Sequence, residues 1–167
     1  TASSHPLRSH LAERPCVWYR WEVEEYWSRM TTDSKGRPRR ESGWKTVAEG
    51  GSMIPFFVQD DTGAVRVDPA GARIEPLPIF GETCSDEDPL YYRKGPLEAV
   101  SHSEHRRRFS EKAIPIGVAV YVVGQARERD DIVAPEIAQN GQAPMFLIST
   151  RTEKEVAAGL GWQAVGW

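Results

Sequence analysis

Residues 16–27 (CVWYRWEVEEYW) alternate with period two: Val17, Tyr19, Trp21, Val23 and Glu25 fall on one side of an extended chain, and Trp18, Arg20, Glu22, Glu24 and Tyr26 on the other. Aromatic and β-branched side chains at this spacing predict a long, half-buried β-strand opened by Pro15, and hence a protein built on sheets. Residues 28–42 carry Lys35, Arg37, Arg39 and Arg40 around the turn formers Gly36 and Pro38, which predicts a solvated hairpin loop leading to a second strand near Trp44.

Further strand signals follow along the chain. Residues 54–60 (IPFFVQD) and 64–68 (AVRVD) flank Asp61-Thr62-Gly63 and read as a hairpin, which Pro69 ends because proline has no N–H for a ladder. Residues 69–72 then turn and 73–75 resume extended chain. Residues 76–98 hold four prolines and the acids Asp86, Glu87 and Asp88, and are expected to form an irregular excursion. Residues 102–112 lead into 113–126, where apolar residues occupy both faces around Val118 to Val123, as in a central strand covered on both sides. Two more strands are expected at 132–138 and 144–148 around an Asn140-Gly141 turn, and Ser149-Thr150 caps a helix over 152–160. Many short strands, one late helix and no βαβ rhythm predict a mainly β fold, an OB-like β-barrel with extra hairpins and one C-terminal α-helix. The expected organisation is a flexible leader over 1–14, the barrel domain over 15–161 and a membrane-proximal tail over 162–167.

Composition narrows the function classes. An apolar fraction of 40% with six tryptophans can build a core, which excludes wholesale disorder, and a net charge of −3 over 167 residues supplies no global field for nucleic acid or acidic lipid. The longest apolar run, 114–124, is shorter than the roughly 20 residues of a spanning helix and is broken by Pro115 and Gly117. The chain opens on Thr1 and stops at Gly166-Trp167, so it is expected to be a piece of a longer protein whose anchor lies elsewhere.

The candidates for chemistry are few. His102 and His105, with Cys84 or Glu104, have metal-ligand types, but on a strand positions three apart face opposite ways, so no metal and no cofactor is expected. Cys84 with His102 or His105 is the one conceivable Cys-His hydrolase pair, yet no nucleophile, phosphate-cradling or zinc-protease signature is present, and no catalytic residue is assigned. Cys16 and Cys84 lack C-x-x-C spacing; buried reduced thiols are expected, with a single bridge as the alternative. Two basic runs are the candidate binding residues: Arg37, Arg39 and Arg40, and Arg106, Arg107 and Arg108. They suit anionic headgroups or nucleic acid, and equally a strand edge kept from aggregating by charge. Trp162 and Trp167 suit a bilayer interface or packing onto the barrel.

Taken in order, Pro15-Cys16-Val17-Trp18-Tyr19-Arg20, Pro55-Phe56-Phe57-Val58, Gly63-Ala64-Val65-Arg66-Val67-Asp68-Pro69, Ile116-Gly117-Val118, Val123-Gly124 and Phe146-Leu147-Ile148-Ser149-Thr150 resemble the GIDE domain. This is the "beside a membrane" domain of mitochondrial outer-membrane ubiquitin ligases and their prokaryotic relatives, and the resemblance runs from about Pro15 to Leu160. It implies a soluble, non-catalytic sensing or interaction domain of a membrane-anchored prokaryotic protein, in a defence or membrane-stress system, with its membrane partner reached through flanking helices. In the eukaryotic relatives ubiquitin transfer belongs to a separate RING domain, and two cysteines cannot build one. The alternatives are a single-stranded nucleic-acid-binding OB-like module, which the divided aromatics of 16–27 disfavour, and the Cys-His hydrolase.

Overall fold

In the computed structural model the described residues are 1–129, 132–139 and 145–151. The helix expected over 152–160, the Asn140-Gly141 turn and the tail with Trp162 and Trp167 lie outside them. In chain order the elements are β1 (Leu7–Arg8), β2 (Pro15–Thr32), β3 (Pro38–Met53), β4 (Phe56–Asp60), β5 (Gly63–Val67), β6 (Arg73–Glu75), β7 (Leu77–Ser85), α1 (Pro89–Arg93), β8 (Ser103–Pro115), β9 (Tyr121–Val123), β10 (Gln125–Arg129), β11 (Ile132–Ala138) and β12 (Leu147–Ser149). The fold is mainly β with one short helix among the described residues. No helix among them is long and apolar enough to cross a membrane.

The strands form three sheets. The five-stranded sheet runs β1-β2-β8-β7 with β3 also on β2; β10-β11-β5-β4 form the second and β6-β12-β9 the third. Val17, Phe56, Val67, Ile114 and Ile148, drawn from all three sheets, form one buried cluster, and Val23, Phe109 and Leu11 form another with Trp21, Phe80, Cys84 and Leu90 around them. Each such side chain contributes about 1.5–3 kcal/mol by leaving water, which makes the sheet interfaces the main source of stability.

Four expectations are corrected. The loop after β2 is shorter than 28–42, because Thr32↔Pro38 is still a ladder pair and Arg39 and Arg40 sit in β3. Residues 113–126 are not one strand: β8 already begins at Ser103, Pro115 ends it, and Gly117 turns the chain at φ 83° before the three residues of β9. The excursion expected over 76–98 contains the nine-residue β7 at a sheet end, where Pro78 is tolerated and the register shifts between Pro78 and Phe80. The flexible leader over 1–14 is instead packed. Its Leu11 is buried, β1 pairs with β2, and the Thr1 hydroxyl donates to the Pro115 carbonyl at 2.8 Å. The Glu111 carboxylate receives the backbone N–H groups of His10, Leu11 and Ala12 at 2.8–2.9 Å, and the His10 ring stacks on Trp21 at 4.2 Å.

Candidate functional site

Strand β2 outruns its neighbour β8, since their last pair is Trp27↔Ser103 while β2 stays paired with β3 to Thr32↔Pro38. The hairpin therefore projects as a two-stranded arm past the end of β8. Asp33 builds its tip by accepting from the Lys35 and Arg37 amides at 2.9 and 2.8 Å and from the Arg37 side chain at 3.1 Å, with Gly36 at φ 77°. The Arg37 amide, with the help of these other donors, holds the Asp33 carboxyl below its ordinary range.

Charge is concentrated on this arm. Residues 28–42 carry five cations against two carboxylates in a chain whose net charge is −3. Arg29 is held by Glu41 at 2.9 Å, Arg37 by Asp33, and Arg40 donates to the Ser28 hydroxyl at 3.0 Å and lies 3.6 Å from Glu104. Among the described residues Lys35, Arg39 and Lys45 have no ion pair. Of the expected binding residues, Arg37, Arg39 and Arg40 thus share one projecting element.

Arg106, Arg107 and Arg108 do not form a second patch. Strand alternation sends Arg107 inward, where its guanidinium is fully buried, meets Glu25 Oε1 at 2.8 Å and donates to the Tyr91 and Pro96 carbonyls at 2.7 and 2.8 Å. Glu25 Oε1 also accepts from the Tyr91 hydroxyl at 2.8 Å, and Oε2 from the Val100 amide at 2.6 Å. Burial works to raise the Glu25 carboxyl, but the Val100, Tyr91 and Arg107 donors outweigh it and leave it lowered; the Tyr91 hydroxyl, buried and donating to a carboxylate, is pushed up to about 12. On the outer face Arg108 makes a two-point contact with Glu24 at 2.7–2.9 Å and lies 4.4 Å over the Trp44 ring, while exposed Arg106 lies 5.5 Å over Tyr26.

A cleft of about 480 Å³ opens where the arm leaves the sheet, lined by Trp27, Arg29, Lys45 and the segment 99–102. Trp27 rests on its cross-strand partner Gly43, where a Cβ would meet the indole at 3.4 Å, in ordinary van der Waals contact. The opposite wall is pinned by the Val100 amide on Glu25, by the Ser28 amide donating to the His102 carbonyl at 3.1 Å, and by Arg107. The sequence reading missed this cleft. The sequence shows only the cations Arg29 and Lys45 beside Trp27 and Trp44; nothing in it signals the facing segment 99–102.

The candidate catalytic and metal groups lie otherwise. Burial raises the half-buried Cys84 thiol, and the nearby Asp88 and Glu82 raise it further, which disfavours a thiolate. His105 is exposed and faces Asp86 at 3.8 Å, His102 sits in the cleft wall, and no group of three metal-ligating side chains assembles among the described residues. Both cysteines are free. In comparison with known proteins, a family model for GIDE, described as E3 Ubiquitin ligase, matches residues 24–166. No curated protein and no solved structure matches the chain.

Proposed function

Because the chain belongs to the GIDE family, whose model spans residues 24–166, we propose that it serves as a non-catalytic sensing or interaction domain of a membrane-anchored prokaryotic protein, in a defence or membrane-stress system. The observation that carries this reading is the segregation of charge: five cations against two acids on one projecting arm, with an open cleft at its base. Such an arm suits contact with an anionic partner, because a local excess of positive charge speeds encounter even where the whole chain is negative. Ubiquitin transfer is not part of the proposal, since two cysteines are too few for paired structural zinc sites. The raised Cys84 thiol supports contact over covalent chemistry. The sheets are read as an OB-like barrel carrying the arm as an extra hairpin.

A single-stranded nucleic-acid binder is the second reading, and the outer face speaks against it. Its rings, Tyr26 and Trp44, are already overlaid by Arg106 and Arg108, and Glu24 neutralises Arg108, so few open stacking surfaces remain for bases. Membrane fractionation of the full-length gene product tests the main proposal. Recovery in carbonate-resistant membranes is expected, and recovery in the supernatant contradicts anchoring. Oligonucleotide affinity that falls steeply between two salt concentrations would favour the second reading.

A further inference from the structure

We infer that the cleft between Trp27 and residues 99–102 is a binding site for a small organic anion, its apolar body against the indole and its oxyanion facing Lys45. The inference rests on the reading of the domain as an interaction module and names the ligand chemistry.

Three observations converge on it. First, the volume of about 480 Å³ lies within the range typical of small-ligand sites, and the lining mixes an indole and the apolar Ala99 and Val100 with the cations Arg29 and Lys45. No carboxylate is among these lining groups, which selects against cationic ligands.

Second, Lys45 is left without its natural counterion. In register it stands opposite Glu25, but the Glu25 carboxylate is buried and occupied by Arg107, Tyr91 and the Val100 amide. Arg29, the other cation of the cleft, is neutralised by Glu41. A ligand oxyanion would therefore find one uncompensated ammonium beside a guanidinium already held in place.

Third, the walls are preformed. Trp27 rests on Gly43, Arg29 lies 5.7 Å over the same ring, and the facing segment is tied down at Val100 and His102. A site whose groups are fixed before binding loses little freedom on occupation.

The test is a titration of the isotopically labelled 167-residue chain, following the Trp27 indole N–H resonance assigned with Trp27→Phe. The probes are phenylphosphate, 3-phenylpropanoate, inorganic phosphate and phenol. At least one of the two aryl anions is expected to give a saturable shift at Trp27, at least about tenfold tighter than inorganic phosphate, while phenol gives none. Phosphate-over-carboxylate preference is read from the two aryl arms. Lys45→Gln is expected to weaken the aryl anion about tenfold, and Lys112→Gln, an exposed cation of β8 outside both arm and cleft, to leave it unchanged. Saturation by neither aryl anion, or equal loss in both variants, would overturn the site. Because membrane fractionation is scored separately, failure here leaves the anchoring proposal to its own test.

Discussion

Arg107 and Glu25 form an enclosed ion pair: guanidinium Nε and carboxylate Oε1 stand 2.8 Å apart, and neither side chain has any solvent exposure. The pair joins β2 to β8 at the register position Glu25↔Arg107, and it also fastens the irregular segment above the sheet through the Tyr91 and Pro96 carbonyls and the Val100 amide. One wall of the Trp27 cleft thus depends on a charge pair inside the protein. A buried pair of this kind is weak evidence for net stability, but removing one partner is costly because it strands the other.

The three consecutive arginines are expected to respond unequally. Arg107→Met should cost about 3–5 kcal/mol by leaving Glu25 buried and unpaired. Arg108→Ala should cost at most about 1 kcal/mol for a half-exposed pair, and Arg106→Ala should stay within about 0.5 kcal/mol. Urea midpoints at constant m-value measure the series. Glu25→Met combined with Arg107→Met should recover much of the loss of the single variant, because two apolar side chains need no counterion. Equal losses at all three arginines would contradict the alternation of β8.

Stability should depend on pH at both ends through one cluster. The folded Glu25 carboxyl is lowered, so it binds a proton less readily than in the unfolded chain; its contribution is present above the unfolded value of 4.5 and is lost as pH falls through the lower folded value. The Tyr91 hydroxyl is raised to about 12, so its contribution is present below the ordinary value of 10 and is lost as pH rises from 10 through 12. Urea titrations across pH should show both declines, and Tyr91→Phe should shrink the alkaline one while leaving the part due to the Cys16 thiol, which burial pushes up to about 11.

The Glu111 carboxylate is expected to be a main fastening of the N-terminal segment. Glu111→Ala removes the acceptor of three backbone N–H groups, at His10, Leu11 and Ala12. A loss of about 1.5–3 kcal/mol is expected, with amide exchange accelerated at those three residues before the rest of the sheet. Unchanged protection there would show that the β1–β2 pairing, the His10–Trp21 stack and buried Leu11 secure the segment without it.

Thiol labelling should separate the two cysteines. Cys16 is fully buried and its thiol is pushed up to about 11 by burial, so alkylation of the native chain at pH 8 should proceed only through unfolding. Half-buried Cys84 should react first but slower than a free thiol. Rapid modification of Cys84, faster than a model thiol, would reopen the hydrolase reading.

What the sequence disclosed and what it hid follow from the same physics. The period of 16–27 was legible because one face is dominated by Val and aromatic residues, and the β4–β5 hairpin because Asp61-Thr62-Gly63 breaks two apolar runs. The family resemblance rested on runs distributed over the sheets, and the family match bears it out. Strand β8 was obscured because Arg107 and Glu111 occupy its buried face alongside Phe109 and Ala113, so charge masks the alternation. Helix α1 carried a readable start in Asp88-Pro89, where the carboxylate caps the Leu90 amide and proline takes the first turn, but the surrounding prolines read as loop. The cleft is nonlocal: Trp27 and Lys45 meet residues 99–102 only through folding, and no spacing along the chain encodes that meeting.

The central claim is that the buried pair holds the segment before β8 in place and so presents a preformed cleft at the foot of the basic arm. Amide exchange at Val100, whose N–H donates to Glu25, tests it most directly. In the unaltered chain this amide should be as protected as the neighbouring strand amides of β8, and in Glu25→Gln its exchange should accelerate at least about tenfold ahead of global unfolding. Rapid exchange at Val100 in the unaltered chain, or no change in the variant, would contradict the account.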